Sequence, residues 1–162
     1  MIRAVTLDDR QVWLDLAHES DGLVMELVPD IATFYEGFDD YMVRKITQHE
    51  AFMVVDRASS GCLGIIAFSN NHNRISFLGV TGDADFKLIA SRLMETALNK
   101  LDNTQEISIS VLKSDSEIIK NEFDLYELFG FVKRNEEVVE AVIPAYVMRR
   151  PAMSPVSNEG RT

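Results

Sequence analysis

The sequence predicts an α+β domain. Three observations carry that prediction: an N-terminal strand that feeds a helix at once, three consecutive β-rich runs joined by turn residues, and a helix, a strand and a helix followed by two final strands. With 162 residues the chain can close one sizeable core, taken here as a single domain over residues 1–150.

Taken in order, IRAV reads as a short strand and Thr6, Leu7, Asp8 and Asp9 as a helix start, with acidic groups at the positive end of the dipole. Val12, Trp13, Leu16 and Ala17 recur at helical spacing, and a second helix is expected from Ile31 to His49. The runs AFMVVD, CLGIIAFS and RISFLGV are separated by ASSG and NNHN, which is turn chemistry for consecutive antiparallel hairpins. FKLIASRLMETALNKL then puts Leu88, Ile89, Arg92, Leu93, Thr96, Ala97 and Leu101 at helical spacing, with Asp83 or Asp85 as its cap. EISISVL alternates as a strand. SDSEIIKNEFDLYELF reads as a helix begun by Ser114 and Asp115 and ended by Gly130. FVKRNEEVV and AYVMRR are the last strands, with Pro144 leaving room for a hairpin-like return. Residues 151–162, PAMSPVSNEGRT, hold two prolines and no apolar periodicity, which predicts a disordered tail.

Composition excludes some functions. Sixteen basic against 26 acidic residues give a net charge of −10, so the average field repels phosphate backbones and anionic membrane surfaces. Neither nucleic acid nor a membrane is an expected partner. MIRAVTLDDRQVW lacks the apolar run of a signal peptide, and no apolar stretch is long enough to span a bilayer. Cys62, the single cysteine, sits in an apolar run where a small buried thiol is expected, and a reducing, cytoplasmic setting follows. His18, His49 and His72 are scattered, so no metal is expected.

Two blocks within this order point to a family. RISFLGVTGDADFKLIASRLMETAL resembles the fourth strand and cofactor-binding helix of the GNAT N-acetyltransferase superfamily. DLYELFGFVKR, with AYVMRR behind it, is similar to that family's penultimate helix ending in Tyr-Glu-x-x-Gly-Phe. The resemblance covers Ile2 to Arg150. It implies a mixed, mostly antiparallel, strongly twisted central sheet of about six to seven strands with helices on both faces.

It also implies acetyl-CoA as co-substrate, lying where two neighbouring strands splay apart, with its pyrophosphate on the following helix's N-terminus. The backbone of Leu78, Gly79 and Val80 would hold the pantetheine, and Lys87, Leu88, Ala90 and Ser91 would meet the phosphate end. The family's pyrophosphate pattern, Gln or Arg, two residues, Gly, one residue, Gly or Ala, falls on Asp85, Leu88 and Ala90, and only Ala90 fits. Leu88 replaces a glycine that lets backbone approach phosphate, and Asp85 sets a negative charge beside it. Lys87, in the same turn, is the basic compensation on offer.

Tyr126 matches the tyrosine that serves in the family as general acid for the CoA thiolate; its bland alternative is packing beside Phe129 and Phe131. A general base is not marked: RISFLGV offers Ser76 and no acid, which leaves a water chain, Glu50 or His72. Asn121 lies closer to Tyr126 than the family's asparagine does. FYEGFDDY, with Glu36, Asp39 and Asp40, would either be a solvated helix face or attract a cationic amine. The expected activity is acetyl transfer from acetyl-CoA to a primary amine of a small molecule or protein. The alternative is a non-catalytic binding module of the same fold that has lost its phosphate loop. GNAT-like domains often form dimers, and AYVMRR as an edge strand is able to pair across such an interface.

Overall fold

The structure is a computed structural model that describes residues 1–19, 31–82, 84–114, 116–140 and 143–153. Among the described residues seven strands form one sheet: β1 Ile2–Ala4, β2 Ala51–Val55, β3 Cys62–Ser69, β4 Arg74–Val80, β5 Ile107–Leu112, β6 Val132–Glu140 and β7 Ile143–Arg150. Among the described residues four α-helices accompany them: α1 Arg10–His18, α2 Ile31–Thr47, α3 Phe86–Lys100 and α4 Glu117–Leu128. The strand order is β1-β2-β3-β4-β5-β7-β6, antiparallel at every pairing except β4 with β5. The predicted mixed, mostly antiparallel sheet is therefore present.

Helices cover both faces. On one face α3 and α4 bury Ile89, Leu93, Ala97, Leu125 and Tyr126 against Ile66, Phe68, Ile75, Ile107 and Met148 of the sheet. On the other, Trp13 and Leu16 of α1 and Met42 and Ile46 of α2 pack on Met53, Ile65 and Ala67. Strand alternation produces the division: Ile65 and Ala67 point one way, Ile66 and Phe68 the other. Gly64 lets α3 approach closely, since a Cβ there would lie 3.0 Å from both Ile89 Cγ2 and Leu93 Cδ1.

Local chemistry sets the boundaries. Thr6 caps a 3₁₀ turn, Leu7–Asp9, ahead of α1, and the Asp9 carboxylate accepts the Thr6 amide at 2.8 Å while pairing with Arg3 at 2.9 Å. Gly130 follows α4 at φ +90°, the left-handed region that favours glycine.

Several expectations are corrected. α4 starts after Ser116, whose Oγ accepts the Ile119 amide at 3.3 Å; Ser114 instead accepts the Ser116 amide at 3.1 Å, and Asp115 lies outside the described residues. Pro144 sits within the β6–β7 ladder opposite Val139 rather than between the two strands. AYVMRR is not an edge: β7 is hydrogen-bonded to β5 on one side and β6 on the other, so it has no free edge for a second chain. Of the tail, Met153 donates its amide to the Asn103 carbonyl at 2.8 Å; residues 154–162 lie outside the described residues. Among the described residues no helix is long and apolar enough to cross a membrane.

Candidate active site

β4 opens a gap in the sheet. Opposite β3, Phe77 pairs with Ala67 and Ile75 with Phe68, so Ser76 is an extra residue, a β-bulge. Among the described residues β4 and β5 pair only at Arg74 with Ser108 and Ile75 with Ile109, immediately before that bulge. Beyond it β4 stays on β3 as far as Val80 and β5 stays on β7 as far as Leu112. The parallel neighbours thus part into a V with its vertex at Ser76. The Thr81 amide donates to the Leu63 carbonyl of β3 at 3.0 Å. Antiparallel alternation then turns the backbone groups of Gly79 toward β3 and those of Leu78 and Val80 into the gap. Gly79 matters for what it lacks, since a Cβ there would lie 2.9 Å from Phe77 Cζ and 3.2 Å from Leu16 Cδ2.

α3 begins at the open end of the V. Asp85 is its N-cap, the carboxylate accepting the Leu88 amide at 3.2 Å. Asp83, the other cap considered, lies outside the described residues. The amides of Phe86 and Lys87, in the first turn, have no carbonyl within the helix to reach, which makes this end an anion site. Glu19, just after α1, reaches the same loop and accepts the Gly82 amide on Oε1 at 2.8 Å. Two backbone donors at the mouth of the V therefore already hold carboxylates. Leu88 is 51% exposed, so its branched side chain faces solvent, while Ala90 is buried in the core. Lys87 is exposed and Ser91 half-buried.

Tyr126 lies on α4, which packs against β5, the other wall of the V. It is only 2% exposed, and its hydroxyl donates to Glu122 Oε1 at 3.3 Å. Its ring lies 6.2 Å from that of Phe131. Burial, with Glu122 beside it, pushes the phenol well above its ordinary value, so it keeps its proton. Burial also raises the Glu122 carboxyl to about 7, against the lowering effect of the Tyr126 hydrogen bond. Glu122 was not marked by sequence reasoning, although four-residue spacing on a helix puts it over Tyr126.

The other face of the bulge adjoins a cavity of about 620 Å³ between the end of α2 and the β3–β4 turn. Tyr41 and Ser76 share a hydrogen bond between their hydroxyls there, and Ser76 also donates to the Ala67 carbonyl at 3.3 Å. Glu50, considered as a base, is buried, paired with Lys45 at 3.0 Å and accepting the Asn70 amide at 2.6 Å. His72 is exposed on the turn. Asp39 is held by Arg10 at 2.9 Å and by Trp13 Nε1 at 3.2 Å, so of the acidic stretch Glu36 and Asp40 are the exposed members. Burial raises the half-buried Cys62 thiol to about 11, so it carries its proton at neutral pH.

A mostly antiparallel sheet split at a β4 bulge, with a helix N-terminus at the mouth of the gap, defines the class. A model described as the Acetyltransferase (GNAT) domain matches residues 16–151, and the chain belongs to the GNAT acetyltransferase family. Among solved structures it is similar to a GNAT-family acetyltransferase from Bacillus cereus, at TM-score 0.68 and 14% identity over 95% of this chain and 98% of that one. PaiA N-acetyltransferase from Thermoplasma acidophilum, solved with coenzyme A, gives TM-score 0.67 at 14% identity over 93% of this chain and 98% of that one. A chain of the NatC complex bound to Gag peptide and CoA gives 0.64 at 16% identity over 94% and 98%. No curated protein matches in sequence.

Proposed function

We propose that this GNAT domain transfers an acetyl group from acetyl-CoA to a primary amine of a small molecule or protein in the cytoplasm. One observation carries the reading: the β4–β5 gap, with the backbone groups of Leu78 and Val80 turned into it and the first turn of α3 at its mouth. Acetyl-CoA bound there would supply a thioester acyl group. The Leu78 and Val80 backbone would pair with its amide arm and polarise the acyl carbonyl, with Gly79 keeping the wall thin. Lys87, Leu88, Ala90 and Ser91 would border the phosphates, the amides of Phe86 and Lys87 doing the binding. Tyr126, holding its proton at neutral pH, would turn its hydroxyl from Glu122 and give that proton to the departing thiolate as the C–S bond breaks, and the proton lost by the attacking amine would leave through water and restore the phenol.

A second reading is favoured by one observation. Glu19 and Asp85 hold two of the amides an anion would need, which suits a binding module of this fold without catalysis. Calorimetric titration with acetyl-CoA separates the two. Micromolar affinity supports transfer; no heat at millimolar cofactor, in a sample that melts cooperatively, leaves the binding module.

A further inference from the structure

The sheet is two halves joined at the closed end of the V. β1 to β4 form one, with α3 packed on β2, β3 and β4; β5, β7 and β6 form the other, with α4 packed on β5. Among the described residues the ladder between them is two residue pairs long, Arg74 with Ser108 and Ile75 with Ile109. Parallel pairing is slightly less stable per residue than antiparallel, so two pairs alone make a weak joint. Asn73, the last residue of the β3–β4 turn, extends it. Its Nδ2 donates to the carbonyls of Asp102 and Glu106, both at 2.9 Å, and its Oδ1 accepts the Asp102 amide at 2.8 Å. Its own carbonyl accepts the Ser108 amide at 3.3 Å. Residues 102–106 lie between α3 and β5, so one carboxamide from the first half grips both ends of the segment that leads into the second. Both amide hydrogens and the oxygen of that carboxamide are used. Asn73 also holds φ at +50°, the left-handed region that asparagine tolerates better than most residues.

We infer that Asn73 is a positioning residue for acetyl-CoA: it pins the closed end of the V and so sets how far the Leu78 and Val80 wall stands from β5 at the open end. The inference rests on reading the V as the transfer site. At about 3.3 Å per residue, β4 runs roughly 10 Å from Asn73 to the vertex at Ser76 and roughly 13 Å from there to Val80. The two arms are of similar length, so about 1 Å of slack at the clamp becomes about 1 Å at the mouth. A misplacement of about 1 Å, even from a change far from the chemistry, is enough to cost about 100-fold in rate. The partners of the carboxamide are all backbone groups, so the grip depends on the Asn73 side chain and not on the side chains of the segment it holds.

The test uses the full chain. Asn73→Gly keeps the left-handed backbone at no steric cost and removes the carboxamide. Asn73→Asp keeps an acceptor for the Asp102 amide but sets a charge against two carbonyl oxygens. Calorimetry with acetyl-CoA should show about tenfold weaker binding in Asn73→Gly and at least as much loss in Asn73→Asp. In both, exchange of the Ser108 amide should accelerate while the amides of the β2–β3 and β5–β7 ladders stay protected. Asp9→Asn, which breaks the pair to Arg3 on the edge strand β1, is the control for lost stability; thermal melts measure that loss, and its affinity should be unchanged. An equal loss of affinity in Asp9→Asn would overturn the inference, as would a Ser108 amide in Asn73→Gly as protected as in the wild type. A wild type that takes no acetyl-CoA sinks the transfer reading, and the joint is then judged by amide exchange alone. A wild type that binds it, with Asn73→Gly binding equally well, sinks the Asn73 assignment alone.

Discussion

Asp85→Asn should tighten acetyl-CoA binding while slightly weakening the fold. The Asp85 carboxylate caps α3 through the Leu88 amide at 3.2 Å, which puts a full negative charge in the turn where a pyrophosphate would sit. Two unit charges roughly 4 Å apart repel by about 4 kcal/mol at an effective dielectric of about 20. Asp85 is exposed, so solvent and salt reduce this to about 1–2 kcal/mol, a gain of about 5- to 30-fold in affinity. Asparagine caps a helix as well as aspartate does. The charge lost at the positive end of the dipole costs about 0.3–1 kcal/mol of stability. The assay is calorimetry at several salt concentrations with thermal melts alongside. The gain should be largest near 0.01 M salt, where the Debye length is about 30 Å, and should shrink at 1 M, where it is about 3 Å. Affinity unchanged at every ionic strength would refute the reasoning, because a charge in the phosphate turn cannot be silent at low salt.

Glu19→Gln should act in the same direction by about 1 kcal/mol, since Gly82 would then exchange a carboxylate for a neutral acceptor; titration with acetyl-CoA reads it. Tyr126→Phe should lower turnover about 100-fold or more with cofactor affinity nearly constant, and unaltered turnover on a good substrate would remove Tyr126 from the acid role. Glu122 has a folded pKa of about 7 against an ordinary 4.5, so its ionisation penalises the fold; the penalty is absent below about pH 4.5 and complete above about 7. Glu122→Gln should therefore stabilise the protein above pH 7 by about 1–3 kcal/mol in denaturant melts, with no gain at pH 4. Asp9 has the opposite sign: Arg3 and Thr6 hold it at about 2 against 3.8, so its contribution is present above about pH 4 and is lost as pH falls through 2. Discounted for solvent, Asp9→Asn should cost about 1 kcal/mol at neutral pH and only a small part of that at pH 2, again by denaturant melts.

What could be read from the sequence was local. Ser59–Gly61 and Asn70–Asn73 lie in the turns that join β2, β3 and β4, and Ile89, Leu93 and Ala97 recur on the face α3 buries, because turn chemistry and periodicity act over a few residues. Register is different. AYVMRR reads equally well as an edge or an interior strand, and its place between β5 and β6 follows from pairing with Ile107–Leu112, almost 40 residues earlier. Ser114 and Ser116 are both good caps, and the choice between them depends on which start turns Ile119 and Tyr126 inward.

The site was less legible than the fold because its parts are joined across the chain. RISFLGV looks like any core strand. It bulges because Ile75 and Leu78 must both face α3 while Ser76 and Phe77 both face α2, which a strict two-residue period cannot provide. That extra residue separates β4 from β5, and it also brings the Ser76 hydroxyl to Tyr41 and to the cavity at the end of α2. One departure from alternation thus creates the gap on one side and links it to the cavity on the other. Glu19 and Gly82 are 63 residues apart, so the hydrogen bond between them at the mouth of the gap has no local signature.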